Sequence, residues 1–125
     1  MTASTILVAL ALFQVKHLVA DFWLQPPWIV GDKSRYGHAG GLLHAGLHVA
    51  LTAPILIWLA PGAATVAAIL AVEFVVHYHV DWLKAWHTKR AGLTSDRWVF
   101  WATMGVDQAV HQATYLAILW WLAVG

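Results

Sequence analysis

The chain has 125 residues, 61% of them hydrophobic and only 10% charged, with a formal net charge of +1 and no cysteine. Soluble domains carry about a quarter charged residues, so this composition points to the bilayer. The near-neutral balance offers no basic stripe for nucleic acid, and the missing thiols exclude disulfides and thiolate metal sites.

One membrane domain is expected over residues 1–125. Residues 1–15 lack a basic start and run on into polar helix positions, so no cleavable leader is expected. The first apolar segment covers about 4–24, enough for the roughly 20 residues of a span. Gln25-Pro26-Pro27 stops it, because proline cannot continue the hydrogen-bond ladder. Residues 28–37 read as a polar loop. The second segment covers 38–60, with a kink expected at Pro54, and Pro61-Gly62 makes a tight turn. The third covers 63–86 and is followed by a loop over 87–95. Thr94, Ser95 and Asp96 offer N-caps for the fourth, over 97–124. The expected fold is all-α: a polytopic membrane protein built as an up-down bundle of four transmembrane helices.

An up-down path puts Lys33, Arg35, Lys89, Arg90 and Arg97 on one side and leaves the other side, with both termini, free of Lys and Arg. The positive-inside rule makes the first side cytoplasmic and sends both termini outside, across a bacterial inner membrane. The nine tryptophans fall near the two expected boundaries and none falls mid-span, as interfacial belts require.

Each segment carries one polar stripe. Gln14, His17, Asp21 and Gln25 lie on the first; Gly40, His44, His48 and Thr52 on the second. Glu73, His77, Asp81 and Lys84 lie on the third; Thr103, Asp107, His111 and Tyr115 on the fourth. Residues four apart share a helix face and can chelate one ion. Depth tests whether the stripes meet. At helical rise, His17, His44, His77 and Asp107 lie about 9–16 Å inside the cytoplasmic ends, overlapping although the chain direction alternates. A convergent site is the economical explanation.

The candidate ligands are His17, Asp21, His44, His48, His77, Asp81, Asp107 and His111, with Glu73 one turn deeper. Imidazole and carboxylate suit a divalent transition metal, zinc first, with iron, manganese or nickel as alternatives. Eight ligands exceed what one ion uses, so one or two ions are expected, two fitting best. Di-metal sites do form in bundle cores. Gln14, Gln25, Gln108, Thr52 and Tyr115 are candidates to orient the ligands. The competing reading is interhelical hydrogen bonding, at about 0.6 kcal/mol each, with ion pairs between Lys84 and Asp81 or Asp107 and between Lys16 and Asp21. His38 and His87 are read as solvated and His79 as interfacial. Gly40, Gly41 and Gly46 are read as sites of close helix packing.

The runs His17-Leu-Val-Ala-Asp21-Phe-Trp-Leu-Gln25, His44-Ala-Gly-Leu-His48, His77-x3-Asp81-x2-Lys84 and Asp107-Gln108-x2-His111 together resemble the DUF3307 family, small bacterial and phage membrane proteins of unassigned function. The resemblance covers nearly the whole chain and implies a shared site without naming a substrate. In chemistry, though not in motif order, the chain is similar to bacterial inner-membrane proteins labelled metal-dependent hydrolases.

The leading expectation is therefore a membrane metal-dependent hydrolase. Glu73 or Asp107 would be general base and Lys84 would stabilise developing negative charge. A lipid or lipid-linked substrate suits the depth, with Lys33, Arg35 and Lys89 near anionic headgroups. The alternatives are a metal or proton conduit, a haem-binding or packing subunit with a membrane partner or a second copy, and an oxygen-activating di-iron enzyme. The almost wholly apolar outer halves argue against a through-pore.

Overall fold

Thr2 starts the first helix, its Oγ1 accepting the Thr5 N–H at 3.1 Å, an N-cap bond. In the computed structural model, which describes residues 1–124, α1 runs over Ala3–Leu18 and passes into a π turn over Val19–Trp23. Four further helices follow: α2 (Pro27–Asp32), α3 (Ala39–Leu59), α4 (Ala63–Arg90) and α5 (Trp98–Val124).

Two of these differ from expectation for identifiable reasons. The stretch read as a polar loop contains α2, started by Pro27 at its first turn, where a fixed φ and a missing N–H cost nothing. Ile29 anchors it by burial. Helix α4 continues a turn past Trp86 to Arg90. Its stop is a Schellman arrangement: Gly92 takes a φ of +57° and the Leu93 N–H donates to the Thr88 carbonyl at 2.9 Å. Helix α3 runs unbroken through Pro54, and ends where Ala60 adopts a left-handed conformation, its N–H donating to the Leu56 carbonyl at 2.9 Å.

Three stretches are long and apolar enough to cross a membrane: Ala3–Trp23, Ala39–Leu59 and Ala63–Arg90. Helix α5 has the length, at 27 residues, but Asp107, Gln108, His111, Gln112 and its tryptophans lower its mean hydropathy. The four long helices close a ring, α1 against α3 and α5, and α4 against α3 and α5, while α2 lies on α3.

The surface and the interior are inverted relative to a water-soluble protein. Leu7, Leu12, Val15, Val72, Val75, Val106 and Leu116 are exposed, while Lys16, His44, His48, Glu73, His77 and His111 are buried. An outer face of that kind is a liability in water and is compatible with a lipid bilayer. One end of the ring is packed by Ala9, Phe13, Ile55, Leu56, Ile69, Tyr115, Ile118 and Leu119, with Phe13 stacked on Tyr115 at 4.9 Å. The other end holds the histidines.

The glycines divide. A Cβ on Gly40 would lie 2.5 Å from the Asp32 Cβ, and one on Gly41 would lie 3.2 Å from the Tyr78 ring. These two let α2 and α4 approach α3. Gly46 faces open space, so the expected packing role does not extend to it.

Candidate metal centre

The four-residue spacings bring their side chains to one place. On α3, His44 and His48 are wholly buried, and both Nε2 atoms point at Asp21 Oδ1, at 3.2 and 3.0 Å. Asp21 sits in the π turn, closed by a five-residue bond from the Leu24 N–H to the Val19 carbonyl at 3.0 Å; such turns recur at functional sites. Across the ring, Asp81 Oδ1 lies 3.1 Å from His111 Nε2, and Asp81 Oδ2 lies 3.2 Å from His44 Nε2 and 3.6 Å from His77 Nε2. Two carboxylates from opposite sides of the ring are thus bridged by His44 and surrounded by imidazoles.

The rings stack as an array. His48 and His77 have centroids 3.7 Å apart, and His77 and His111 4.1 Å apart. Neighbouring imidazolium charges at such spacing would repel strongly. Neutral rings at His48 and His77, the form that ligates metal, fit the arrangement.

Two sets of ligand atoms lie within reach of a single ion: Asp21, His44, His48 and His77, and Asp81, His77 and His111, with His77 common to both. Atoms bound to one ion at about 2.1 Å stand about 3.0–3.4 Å apart, which is the range of the closer contacts here. Hydrogen bonds span similar distances, so satisfaction decides. Both nitrogens of His44 lack a hydrogen-bond partner, as do His77 Nε2 and Asp107 Oδ1. Leaving such buried groups unpaired costs about 1–3 kcal/mol each. A cation at the centre would satisfy His44 Nε2 and His77 Nε2. The donor set fits a divalent ion.

The remaining expected ligands, His17 and Asp107, fall outside both sets. His17 Nδ1 meets the Tyr115 hydroxyl at 2.8 Å and its Nε2 faces Gln108 Oε1 at 3.0 Å and Asp21 Oδ2 at 3.2 Å. Asp107 stands 3.6 Å from His111 and 3.8 Å from Lys84. Gln108 ties the two carboxylates together, its Nε2 donating to Asp21 Oδ2 at 3.3 Å and to Asp107 Oδ2 at 3.2 Å. Gln25 donates to the Asp21 carbonyl, whereas Gln14 pairs with Gln112 on the exposed side and takes no part.

Glu73 belongs to a separate layer. Its Oε1 accepts from Lys16 Nζ at 2.6 Å and from Thr52 at 3.0 Å, and Lys16 also lies 3.4 Å from His48 Nδ1. The lysine considered as a partner for Asp21 is therefore bound to Glu73.

Lys33, expected near lipid headgroups, is 7% exposed and lies 2.7 Å from Asp81 Oδ2. Sequence reasoning missed it because the loop containing it is a helix folded over α3. Pro27 followed by apolar Trp28-Ile29-Val30 is the signal that could have revealed this. Asp32 was missed for the same reason: its Oδ2 accepts the Gly40 N–H at 3.0 Å and so ties α2 to the start of α3.

The family model described as "Protein of unknown function (DUF3307)" matches residues 9–124. Among curated proteins and among solved structures, nothing matches the chain. The chain belongs to the DUF3307 family.

Proposed function

We propose that this DUF3307 chain is a multi-pass inner-membrane protein that spans the bilayer as a four-helix bundle, holds one or two divalent transition-metal ions and acts as a hydrolase on a lipid or lipid-linked substrate. Residues 1–125 form its single membrane domain. The basic 25–37 and 87–97 segments lie on the cytoplasmic side and both termini lie outside. Helix α5, too polar to pass as a span alone, crosses with its Asp and His inward, where a neighbouring helix rather than lipid meets them.

One observation carries the reading. His44, fully buried, presents Nε2 at 3.2 Å to a carboxylate oxygen on each side and has a hydrogen-bond partner at neither nitrogen. Asp21, His44, His48 and His77 would hold one ion, and Asp81 and His111 a second if both are bound; zinc is the first candidate and iron, manganese or nickel the others. A bound divalent ion would supply a water of lowered pKa and polarise a phosphoryl or carbonyl oxygen. Around it, Asp107, next to His111 and carrying an unpaired oxygen, is positioned to take a proton. The Lys84 ammonium can neutralise negative charge developing on the substrate. Glu73, held by Lys16 and Thr52, would act on His48 through Lys16, which leaves Asp107 as the preferred base.

A second reading has one contact in its favour. Lys16 Nζ can donate only to an unprotonated His48 Nδ1, which puts the ring proton on Nε2 toward Asp21. In that form the stripes are interhelical hydrogen bonds in a non-enzymatic subunit or a proton-handling protein.

Purified without a histidine tag and assayed by plasma mass spectrometry, the protein is expected to hold about one or two equivalents of one transition metal. A folded His44→Ala/His48→Ala variant is expected to hold none. Wild-type protein that stays metal-free after incubation with Zn, Fe, Mn or Ni would establish the hydrogen-bonded core instead.

A further inference from the structure

Three lysines reach the helical core, two held by carboxylates at short range and one only loosely. Lys16 lies 2.6 Å from Glu73 and Lys33 lies 2.7 Å from Asp81. Lys84 stands 3.8 Å from Asp107, beyond hydrogen-bond reach, with 23% of its side chain accessible. Among the described residues its ammonium has no hydrogen-bond acceptor. Held only loosely by Asp107 and partly open to water, the Lys84 ammonium can take an anion without breaking a short contact.

Lys84 also lines two cavities. One, of about 520 Å³, lies between α2 and the α4–α5 corner. It combines Lys84 and Lys89 with the hydroxyls of Ser34, Thr88 and Thr94, and no carboxylate lines it. The other, of about 530 Å³, is a groove between α4 and α5 walled by Val80, Leu83, Val106 and Val110, with Asp107 also lining it. Leu83 and Val106 are more than half exposed, so the groove opens on the apolar outer face. A largely apolar chamber carrying two lysines and an apolar-walled groove thus share Lys84.

We infer that this pair of cavities binds an anionic phospholipid, its phosphate on Lys84 and Lys89 and one acyl chain in the α4–α5 groove. Both volumes fall within the range of small-ligand sites. Charge selects the occupant: two ammonium groups against the one nearby carboxylate, Asp107, leave a net positive site that favours an anionic headgroup over a zwitterionic one. Position gives the site its use. The lysine that would hold the phosphate is the one facing Asp107, and Asp107 adjoins His111 of the candidate centre. The inference rests on the proposed reading that the centre acts on a lipid or lipid-linked substrate, and names the headgroup class and the route of access.

The test is calorimetric titration of the full-length protein in detergent with dioctanoyl phosphatidylglycerol, dioctanoyl phosphatidylcholine and inorganic phosphate. Metal content is measured on every sample. Phosphatidylglycerol is expected to bind about tenfold more tightly than phosphatidylcholine: the phosphate contact is common to both, and the quaternary ammonium of phosphatidylcholine is repelled by the lysines. Lys84→Met should abolish the preference and Lys84→Arg should keep it. Val106→Trp, which fills the groove, should weaken both lipids and leave metal content unchanged. Equal binding of the two lipids by wild-type protein, a preference that survives in folded Lys84→Met, or phosphate binding as tight as phosphatidylglycerol would each overturn the inference. If metal is present and the preference absent, the lipid site falls and the metal reading stands. If metal is absent and a Lys84-dependent preference present, the lipid site stands and the hydrolase reading falls.

Discussion

The two ends of the helical core are equally closed to the outside and held by different physics. Phe13 and Leu56 at one end and His44 and His48 at the other are all wholly buried. At the apolar end the contacts are dispersion and ring stacking, and in a lipid bilayer, with which the outer face is compatible, no hydrophobic drive would add to them. At the polar end each buried group depends on a particular partner. A small change in shape costs little at the first end, and the loss of one partner costs much at the second.

The largest expected effect follows from that dependence. Lys16→Met or Glu73→Met alone leaves an uncompensated buried charge and should destabilise the protein by about 3–5 kcal/mol. The double Lys16→Met/Glu73→Met variant should recover most of the loss. Unfolding in mixed micelles measures all three. Single variants no worse than the double would show that the pair is not coupled and would weaken the contrast between the ends.

At the apolar end, Leu56→Ala should cost about 1–3 kcal/mol. This is the lower part of the range for soluble cores, because packing is lost while the transfer term largely vanishes in lipid. Its metal content should equal that of wild type. Metal loss in this variant would mean that the two ends form one cooperative unit.

The glycines supply the finest contrast, ending on the smallest effect. Gly40→Ala forces a Cβ against Asp32 and should cost about 1–3 kcal/mol as an overpacking change. Gly46→Ala meets open space and should stay within about 0.5 kcal/mol. Matched melting curves of the two variants decide it, and equal losses would remove the assigned role of Gly40 in seating α2.

Much of the polar end was legible in the sequence because a helix repeats its faces every three to four residues. His44 and His48 on one helix, and His77 and Asp81 on another, had to share faces, and equal depth implied that they meet. The same periodicity placed Asp107 and His17 near the centre but could not say whether they enter a ligand set. A face is about 100° wide, and a ligand position is fixed to a few tenths of an ångström.

Local chemistry along the chain thus determined the long apolar segments, their polar stripes, the proline stops and the family. Contacts between residues distant in sequence were decided only by the tertiary structure. Lys16 meets Glu73 across 57 positions, Lys33 leaves its loop to reach Asp81, and Lys84 stands loosely beside Asp107 at 3.8 Å. Long flexible lysine side chains span several ångströms in any direction, so spacing along one helix cannot choose their partners. The packing of α2 against α3 and of α4 against α5 makes that choice.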